Sequence, residues 1–156
     1  MINLDIPGKG KLILKNIVLD FNGTIALDGL ILPGVEARLN GLSTTLDIYI
    51  LTADTFGSVH TACSSINGKV AIISGTPGAT EKLRFIENLG ASESVAVGNG
   101  TNDRLMLASA ALGIAVIGHE GASVKAFNVA DVVVANINSG LDLLLNPKRL
   151  VATLRD

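Results

Sequence analysis

The sequence predicts an α/β fold, a Rossmann-like three-layer sandwich in which a mostly parallel central sheet carries helices on both faces. Short runs rich in Val and Ile alternate along the chain with longer segments whose apolar residues recur at helical spacing, and this alternation is typical of a parallel sheet. Of the 156 residues, 48% are hydrophobic and 17% are charged, which suits a packed core and argues against disorder. Because no linker, repeat or low-complexity tract interrupts the pattern, we expect residues 1–156 to form a single domain.

The first elements are predicted from alternating residues and turn signals. Apolar and polar residues alternate on both sides of a Pro-Gly-Lys-Gly turn at residues 7–10, so residues 2–15 are expected to form a β-hairpin. The continuous apolar run at residues 17–19 suits a strand that is buried on both faces. Residues 25–32 place Asp-Gly between apolar residues, which predicts a second, shorter hairpin.

The remaining segments alternate between strand and helix signals. Apolar runs rich in β-branched residues predict strands at 46–51, 69–74, 95–97, 114–117 and 132–134. Apolar residues at helical spacing, with Pro near some starts and Gly after one end, predict helices at 33–42, 55–65, 77–89, 105–111, about 122–128, 137–145 and 147–154.

The composition excludes several classes of function. The formal net charge is -2, no basic cluster is present, and aromatic residues make up 3% with no Trp, so we expect no nucleic-acid partner. The single Cys63 excludes an internal disulfide and a multi-cysteine metal cage within one chain. The first residues lack a signal-peptide core, and the most apolar long stretch, at 105–118, is too short to span a membrane. We therefore expect a soluble, cytoplasmic protein without a membrane partner.

Polar residues follow three predicted strands where packing does not require them. They are Asp20, Thr52 and the segment 99–103. The carboxyl ends of parallel strands meet at one edge of a sheet, and open α/β sheets bind ligands at that edge. Lys82 lies in the first turns of the helix after the third strand of the pattern and could reach the same crevice. Asp20 alone could equally cap a loop, and it is this convergence that favours a functional site.

The expected set of groups is suited to phosphoryl transfer through an aspartyl intermediate. A carboxylate can attack phosphorus. A divalent metal held by oxygen ligands offsets the repulsion between that carboxylate and the phosphate. A Lys, together with hydroxyl or backbone donors, binds the equatorial oxygens as negative charge spreads over them. Asp20, Thr52, Lys82 and Asp103 supply these groups.

These residues resemble the motifs of the haloacid dehalogenase superfamily. The segment Asp-Phe-Asn-Gly-Thr at 20–24 is similar to the first motif, Thr52 to the second, Lys82 to the third, and Gly-Asn-Gly-Thr-Asn-Asp at 98–103 to the fourth. The four occur in order over nearly the whole chain. The last motif, together with Thr-Ala-Asp at 52–54, resembles most the phosphorylation domain of P-type ATPases and their small soluble relatives.

The resemblance implies a Mg²⁺-dependent phosphohydrolase and a role for each matched residue. Asp20 is then the nucleophile that becomes an aspartyl phosphate, and Lys82 stabilises it. Asn22 stands at the catalytic position of the general acid and base. Further roles implied by the resemblance are phosphate binding by Thr52, Ala53, Gly23 and Lys82, a Mg²⁺ site of Asp20, Asp103, Asn99 and the backbone carbonyl of Asn22, and support from Thr24 and Asn102.

Two residues depart from the pattern of the superfamily. Asn22 stands where the phosphatases carry a second Asp, the general acid and base, and an amide cannot replace that carboxyl group. Asn99 stands where the fourth motif usually has an Asp, so we expect weaker Mg²⁺ binding. We expect slow turnover that is restricted to good leaving groups such as acyl or aryl phosphates, with a phosphoenzyme that accumulates. Both Asn residues precede Gly, so either deamidation restores the usual Asp or the fold holds a stable Asn.

The chain has no room for a cap domain between its motifs. Residues 24–52 accommodate only a flap, the predicted hairpin, and one helix, and residues 52–82 only one helix and one strand. The crevice is therefore expected to be open. Either the phosphorylated substrate is large, or neighbouring subunits of a homo-oligomer, a dimer or tetramer, close the site.

Two other interpretations compete with catalysis by this chain. A catalytically attenuated or inactive relative could bind phosphate or a partner through the same crevice, which Asn22 and Asn99 favour. The Gly-Asn-Gly at 98–100 could be a dinucleotide turn, but that fingerprint needs a third Gly at the position of Asp103. His60 and His119 have no partner at metal-ligand spacing and are expected at the surface, and Asp54 could orient Thr52 or cap a helix.

Overall fold

A central sheet of six parallel strands forms the middle layer of the computed structural model, which describes residues 1–53 and 57–156. The chain reaches the sheet at β3, whose five residues are all buried, as expected for a continuous apolar run. In spatial order the strands are β10 (Val132–Val134), β9 (Leu112–Val116), β8 (Ser94–Gly98), β3 (Asn16–Asp20), β6 (Asp47–Thr52) and β7 (Lys69–Ile72).

Two antiparallel hairpins lie outside the central sheet. The N-terminal hairpin pairs β1 (Ile2–Ile6) with β2 (Gly10–Leu14), as the alternating residues predict. The flap pairs β4 (Ala26–Leu27) with β5 (Leu30–Ile31). The two residues at its tip, Asp28 and Gly29, have φ of 50° and 79°. Positive φ at both positions is the type I′ geometry that an Asp-Gly pair favours.

Helices cover both faces of the sheet. Ile17 and Leu19 of β3 pack on one side and Val18 packs on the other, because successive side chains of a strand point to opposite faces. The face of Ile17 is covered by α1 (Val35–Leu42), α6 (Ile137–Leu145), α7 (Pro147–Leu154) and the N-terminal hairpin; the face of Val18 is covered by α3 (Gly78–Leu89), α4 (Arg104–Ser109) and α5 (Val124–Phe127).

The predicted elements agree with the structure, with small differences at their ends. The helix predicted at 55–65 is described as α2 (Ser58–Ala62), and both its predicted start and Asp54 lie outside the described residues. The helix predicted at 105–111 ends earlier, at Ser109, because Ala110 is already extended. Cys63 is buried, and His60 and His119 lie at the surface as expected.

No cap domain is present in the parts of the chain that the structure describes. Residues 24–52 contain the flap, α1 and β6, and residues 57–82 contain α2, β7 and the start of α3. Over the described residues, no helix is both long enough and apolar enough to cross a membrane. Within the described residues, no cap therefore stands over the carboxyl end of the central strand β3, the edge that carries the predicted site.

Candidate active site

The site is built on the carboxyl end of β3. Asp20 is the last residue of this strand and pairs in register with Leu51 of β6, so Thr52 lies one position further along the same edge. On the other side Leu19 pairs with Val97 of β8, which brings Gly98 level with Asp20. The parallel register therefore brings the first, second and fourth motifs together, as the sequence predicts.

Lys82 joins the two carboxylates of the site. Its Nζ lies 2.5 Å from Oδ1 of Asp20 and 2.6 Å from Oδ1 of Asp103. Lys82 is only 3% exposed because it lies on the buried side of α3, in the second turn from the crevice end of that helix. One cation thus binds two carboxylates, and the three groups carry a net charge of about −1 when all are ionised.

Burial raises the pKa of Asp20 from 3.8 to about 6, and the neighbouring charge of Asp103 adds to the rise. Lys82 and the Thr24 hydroxyl act in the opposite direction but do not cancel it. Burial also acts to lower the pKa of Lys82, but Asp103 and Asp20 outweigh burial and raise it. The two raised pKa values are consistent with each other. Lys82 lies between two carboxylates and therefore stays protonated, whereas the ionised form of Asp20 is unfavourable because it is buried beside a second carboxylate.

Asp103 is fixed by backbone donors of its own loop. Its Oδ2 accepts hydrogen bonds from the backbone N–H of Asn99 (3.0 Å) and of Gly100 (2.8 Å), which leaves Oδ1 for Lys82. Gly98 makes this approach possible, because a Cβ at that position would lie 2.5 Å from the Asp103 carboxyl group. Asp103 is fully buried and occupies the place of the third Gly of a dinucleotide turn, which argues against that alternative.

Asn99 connects the site to the loop after β9. Its Oδ1 lies 3.3 Å from Thr24 Oγ1, which is also 3.2 Å from Oδ2 of Asp20. Its Nδ2 donates to the carbonyl of Gly121 at 3.0 Å, and its own carbonyl accepts from the N–H of Ser123 at 2.8 Å. The amide therefore uses its donor on the Gly121 carbonyl, while its oxygen and Asp20 share the single proton of the Thr24 hydroxyl. A carboxylate at this position would place an oxygen against the Gly121 carbonyl.

Asn22 and Gly23 connect the site to the flap. Oδ1 of Asn22 accepts from the N–H of Gly29 at the flap tip, at 3.1 Å, and the N–H of Gly23 donates to the carbonyl of Ala26 at 2.8 Å. Gly23 has φ of 82°, a conformation that side chains with a Cβ rarely adopt. The exposed Asn22 side chain thus connects the first motif to the flap tip, a contact that a carboxylate oxygen could make equally well.

The predicted site residues surround one open crevice with a volume of about 330 Å³. The buried Thr52 and the exposed Ala53 line it at the end of β6, and Asn102 lines it from the fourth motif. Gly23, Thr24 and Asp103 are buried and are not among the lining residues; Thr24 and Asp103 contact the lining residues Asp20 and Lys82 through the hydrogen bonds already given. The complete lining of described residues is Asp20, Asn22, Thr52, Ala53, Ile73, Gly75, Gly78, Lys82, Asn99, Gly100, Asn102 and Glu120.

Four lining residues were not predicted from the sequence. Ile73 and Gly75 come from the connection between β7 and α3, and Gly78 is the first residue of α3. Glu120 comes from the loop after β9, and its exposed side chain reaches across to the first motif. The signal that identified Asp20, namely polar residues directly after a buried strand, is also present at Gly-His-Glu-Gly in 118–121 and would have found Glu120.

The oxygen atoms of the site suit a hard divalent cation such as Mg²⁺. The carboxylates of Asp20 and Asp103 both reach the Nζ of Lys82, so they face a common space. In the described part of the chain no three His, Cys, Asp or Glu side chains converge as a metal cage. Mg²⁺ is bound through one or two carboxylates and keeps several waters, so two carboxylates with neutral oxygens from residues 22 and 99 fit it.

Two uncharacterised proteins of Methanocaldococcus jannaschii are similar to this chain in sequence. One is 51% identical over 79 residues, which span 48% of this chain and 85% of that protein. The other is 59% identical over 39 residues, which span 25% of this chain and 89% of that protein. No protein-family model matches the chain.

Solved structures of phosphatases have the same fold. The 3-deoxy-D-manno-octulosonate 8-phosphate phosphatase of Moraxella catarrhalis, solved with magnesium, phosphate and KDO, superposes with a TM-score of 0.71 at 16% identity over 91% of this chain and 94% of that one. The cobalt-bound deoxy-D-mannose-octulosonate 8-phosphate phosphatase of Haemophilus influenzae superposes with a TM-score of 0.69 at 13% identity, over 92% of this chain and 94% of that one. The catalytic domain of the CPx-ATPase CopB-B superposes with a TM-score of 0.60 at 26% identity, over 73% of this chain and 45% of that one.

Proposed function

The chain belongs to the same family as the two M. jannaschii proteins and has the fold of a structure described as a putative HAD superfamily hydrolase of Legionella pneumophila, and from this premise we propose that it is a phosphohydrolase. The observation that carries the proposal is the buried triad of Asp20, Lys82 and Asp103 at the open edge of the sheet. A structural ion pair does not need a crevice lined by hydroxyl and amide groups. The similarity to an ATPase catalytic domain supports a P-type-like chemistry.

In the proposed reaction Asp20 is the nucleophile. One of its carboxylate oxygens forms a bond to phosphorus while the bond from phosphorus to the leaving-group oxygen breaks, which gives an aspartyl phosphate and the leaving group with its electron pair. Water then attacks the phosphorus, and phosphate and the Asp20 carboxylate are released with one proton. Lys82 contacts Asp20 directly and is the group that neutralises charge on the nucleophile and on the phosphoenzyme.

A divalent cation would be held by Asp20, Asp103 and neutral oxygens of residues 22 and 99. When bound, Mg²⁺ supplies positive charge that offsets the repulsion between a carboxylate and a phosphate. Thr24 positions the nucleophile, since its hydroxyl lies 3.2 Å from Oδ2 of Asp20. Thr52 and Ala53 lie at the same edge, where a hydroxyl and backbone N–H groups can bind phosphate oxygens.

Turnover is expected to be slow because no carboxyl group stands at position 22. General acid–base catalysis typically contributes about 10²–10⁴-fold to a rate. Without it, protonation of the leaving group and activation of water both lose assistance. The substrates are therefore phosphates with good leaving groups, such as acyl or aryl phosphates, and the phosphoenzyme accumulates because its hydrolysis is the slower step.

Acid quenching with labelled acetyl phosphate tests the proposal. The protein is mixed with [³²P]acetyl phosphate and Mg²⁺, quenched in acid, and the protein-bound label is counted. We expect label in the wild type and none in Asp20→Asn, with Asp5→Asn, a change on the exposed face of the N-terminal hairpin, labelled as the wild type is. Acid-stable label on the Asp20→Asn protein would refute the proposal that Asp20 is the nucleophile.

The same experiment separates catalysis from simple phosphate binding. A protein that only binds phosphate through this crevice would retain phosphate at equilibrium but acquire no acid-stable label. The open crevice also supports a homo-oligomer in which a second copy covers the site, because the described residues include no cap. Analytical ultracentrifugation across a concentration series tests that part of the proposal, and a monomer at all concentrations would refute it.

A further inference from the structure

The described residues that line the crevice include only one cation. That cation, Lys82, is already bound to two carboxylates, Asp20 and Asp103. Glu120 adds a further negative charge at the crevice, and the other described lining residues are neutral. Among the described lining residues, none carries a free positive charge that could neutralise an anionic group on the leaving part of a substrate.

Glu120 lies directly over the first motif. A Cβ at Gly23 would lie 2.5 Å from Oε2 of Glu120 and 2.7 Å from Nδ2 of Asn99, so the carboxylate rests against the Gly23 backbone. Gly23 follows Asn22, which itself lines the crevice. The ion pairs of Lys82 involve Asp20 and Asp103 and not Glu120, so the Glu120 carboxylate lies beside the first motif and outside the Asp20–Lys82–Asp103 triad.

The loop holds Glu120 in place while its carboxylate stays unoccupied. The hydrogen bonds from Nδ2 of Asn99 to the Gly121 carbonyl and from the Ser123 N–H to the Asn99 carbonyl fix the backbone on the C-terminal side of Glu120. On the other side, the N–H of Gly118 donates to the Ala135 carbonyl at 3.0 Å. Within the described residues the Glu120 carboxylate has no hydrogen bond or ion pair, so its acceptors face the crevice unused.

We propose that Glu120 determines leaving-group specificity: it accepts hydrogen bonds from an ammonium or other donor group on the leaving part of an acyl or aryl phosphate, and it repels leaving groups that carry a carboxylate or a further phosphate. This inference rests on the proposed phosphohydrolase function and names its substrate class. An acceptor-only carboxylate discriminates in both directions, by a charge-assisted hydrogen bond to the correct group and by repulsion of the wrong one.

Two aryl phosphates that differ only in charge test the proposal. The pair is para-aminomethylphenyl phosphate and para-carboxyphenyl phosphate, whose phenols have similar acidity, so the chemistry at phosphorus is matched. Because hydrolysis of the common phosphoenzyme is the slow step, selection of the leaving group is expressed in kcat/KM and not in kcat. The measured quantity is the ratio of kcat/KM for the cationic donor to kcat/KM for the anionic donor.

Glu120→Gln and Glu120→Lys are compared with matched changes at Glu87. Glu87 is exposed on α3 and is not among the described residues that line the crevice, so Glu87→Gln and Glu87→Lys alter the net charge equally. We expect the wild type to prefer the cationic donor. Glu120→Gln keeps an acceptor oxygen but removes the negative charge, so it should lower the ratio about tenfold, the difference between a charged and a neutral acceptor. Glu120→Lys should invert the preference, and the Glu87 variants should keep it.

The outcomes distinguish this inference from the function on which it rests. An unchanged ratio in both Glu120 variants, or an equal change in the Glu87 variants, overturns the role of Glu120 while para-nitrophenyl phosphate is still hydrolysed through Asp20. If the wild type releases phosphate from none of the aryl phosphates, the phosphohydrolase proposal fails and the specificity proposal fails with it. Inversion of the ratio in Glu120→Lys alone supports both.

Discussion

Replacing Asp20 with Asn is expected to stabilise the protein above about pH 6, although it removes the proposed nucleophile. Burial and the nearby Asp103 make the ionised Asp20 carboxylate unfavourable in the folded state, and they raise its pKa from 3.8 to about 6. Asn has the same shape and no charge. Its Oδ1 can still accept from Lys82, which keeps its ion pair with Asp103 at 2.6 Å.

The size of the effect follows from the two pKa values. Below about pH 4 Asp20 is protonated in both the folded and the unfolded protein, so its ionisation costs the fold nothing. Between about pH 4 and pH 6 the folded state holds the proton that the unfolded state has released, and stability falls by about 1.4 kcal/mol per pH unit. Above about pH 6 the full penalty of about 3 kcal/mol is present.

Urea unfolding at pH 4.0 and pH 7.5, with a chelator present, measures the difference in the free energy of unfolding between Asp20→Asn and the wild type. The chelator matters because a cation that binds the ionised carboxylates would stabilise the wild type and reduce the gain. Asp20→Asn should exceed the wild type by up to about 3 kcal/mol at pH 7.5 and by little at pH 4.0. Asp5→Asn, on the exposed face of the hairpin, controls for the loss of one surface charge. A gain that is the same at both pH values, or a loss at pH 7.5, would show that burial of the Asp20 charge is not costly.

Three further predictions concern the two Asn residues of the motifs. Asn22→Asp keeps the acceptor for the Gly29 N–H and adds a carboxyl group, so steady-state turnover of an aryl phosphate should rise by up to about 10²-fold while the trapped phosphoenzyme decreases; an unchanged rate would mean that position 22 does not limit turnover. Asn99→Asp loses the hydrogen-bond donor to the Gly121 carbonyl, so the free energy of unfolding should fall by about 1–3 kcal/mol. Urea unfolding measures this fall, and a stability equal to that of the wild type would refute the role of the Asn99 amide in holding the loop. Neither Asn-Gly pair should deamidate in the folded protein, because the attacking N–H of each following Gly is hydrogen-bonded; peptide mass spectrometry on aged folded protein should show no one-dalton gain, with unfolded protein as the positive control, and equal rates in both would contradict it.

The sheet and the core of the site could be predicted from the sequence because both depend on local patterns. A continuous apolar run makes β3 a buried central strand, and an acid at its end must then lie at the carboxyl edge of the sheet. The parallel register brings Thr52 and the segment 98–103 to the same edge. Lys82 reaches Asp20 because α3 begins at that edge and turns its buried face towards it.

The partners of the polar side chains could not be predicted in the same way. Asn22 was interpreted only by the acid that it replaces, whereas in the structure it accepts a hydrogen bond from the flap. Glu120 was missed although it follows a predicted strand, because its loop returns across the edge to Gly23, a path that no periodicity in the sequence encodes. Hydrogen bonds between loops depend on distances between segments that are far apart in the chain.

The two departures from the superfamily pattern have different physical meanings. The Asn22 side chain could be exchanged for a carboxylate without loss of its hydrogen bond, so the structure gives no reason for its amide. Asn99 is different, because its side chain donates to the Gly121 carbonyl, and an ionised carboxylate has no hydrogen to donate there. The amide at the position of a proposed metal ligand is thus the same group that fixes the loop carrying Glu120. A change at Asn99 is therefore expected to alter both the proposed metal site and the position of Glu120.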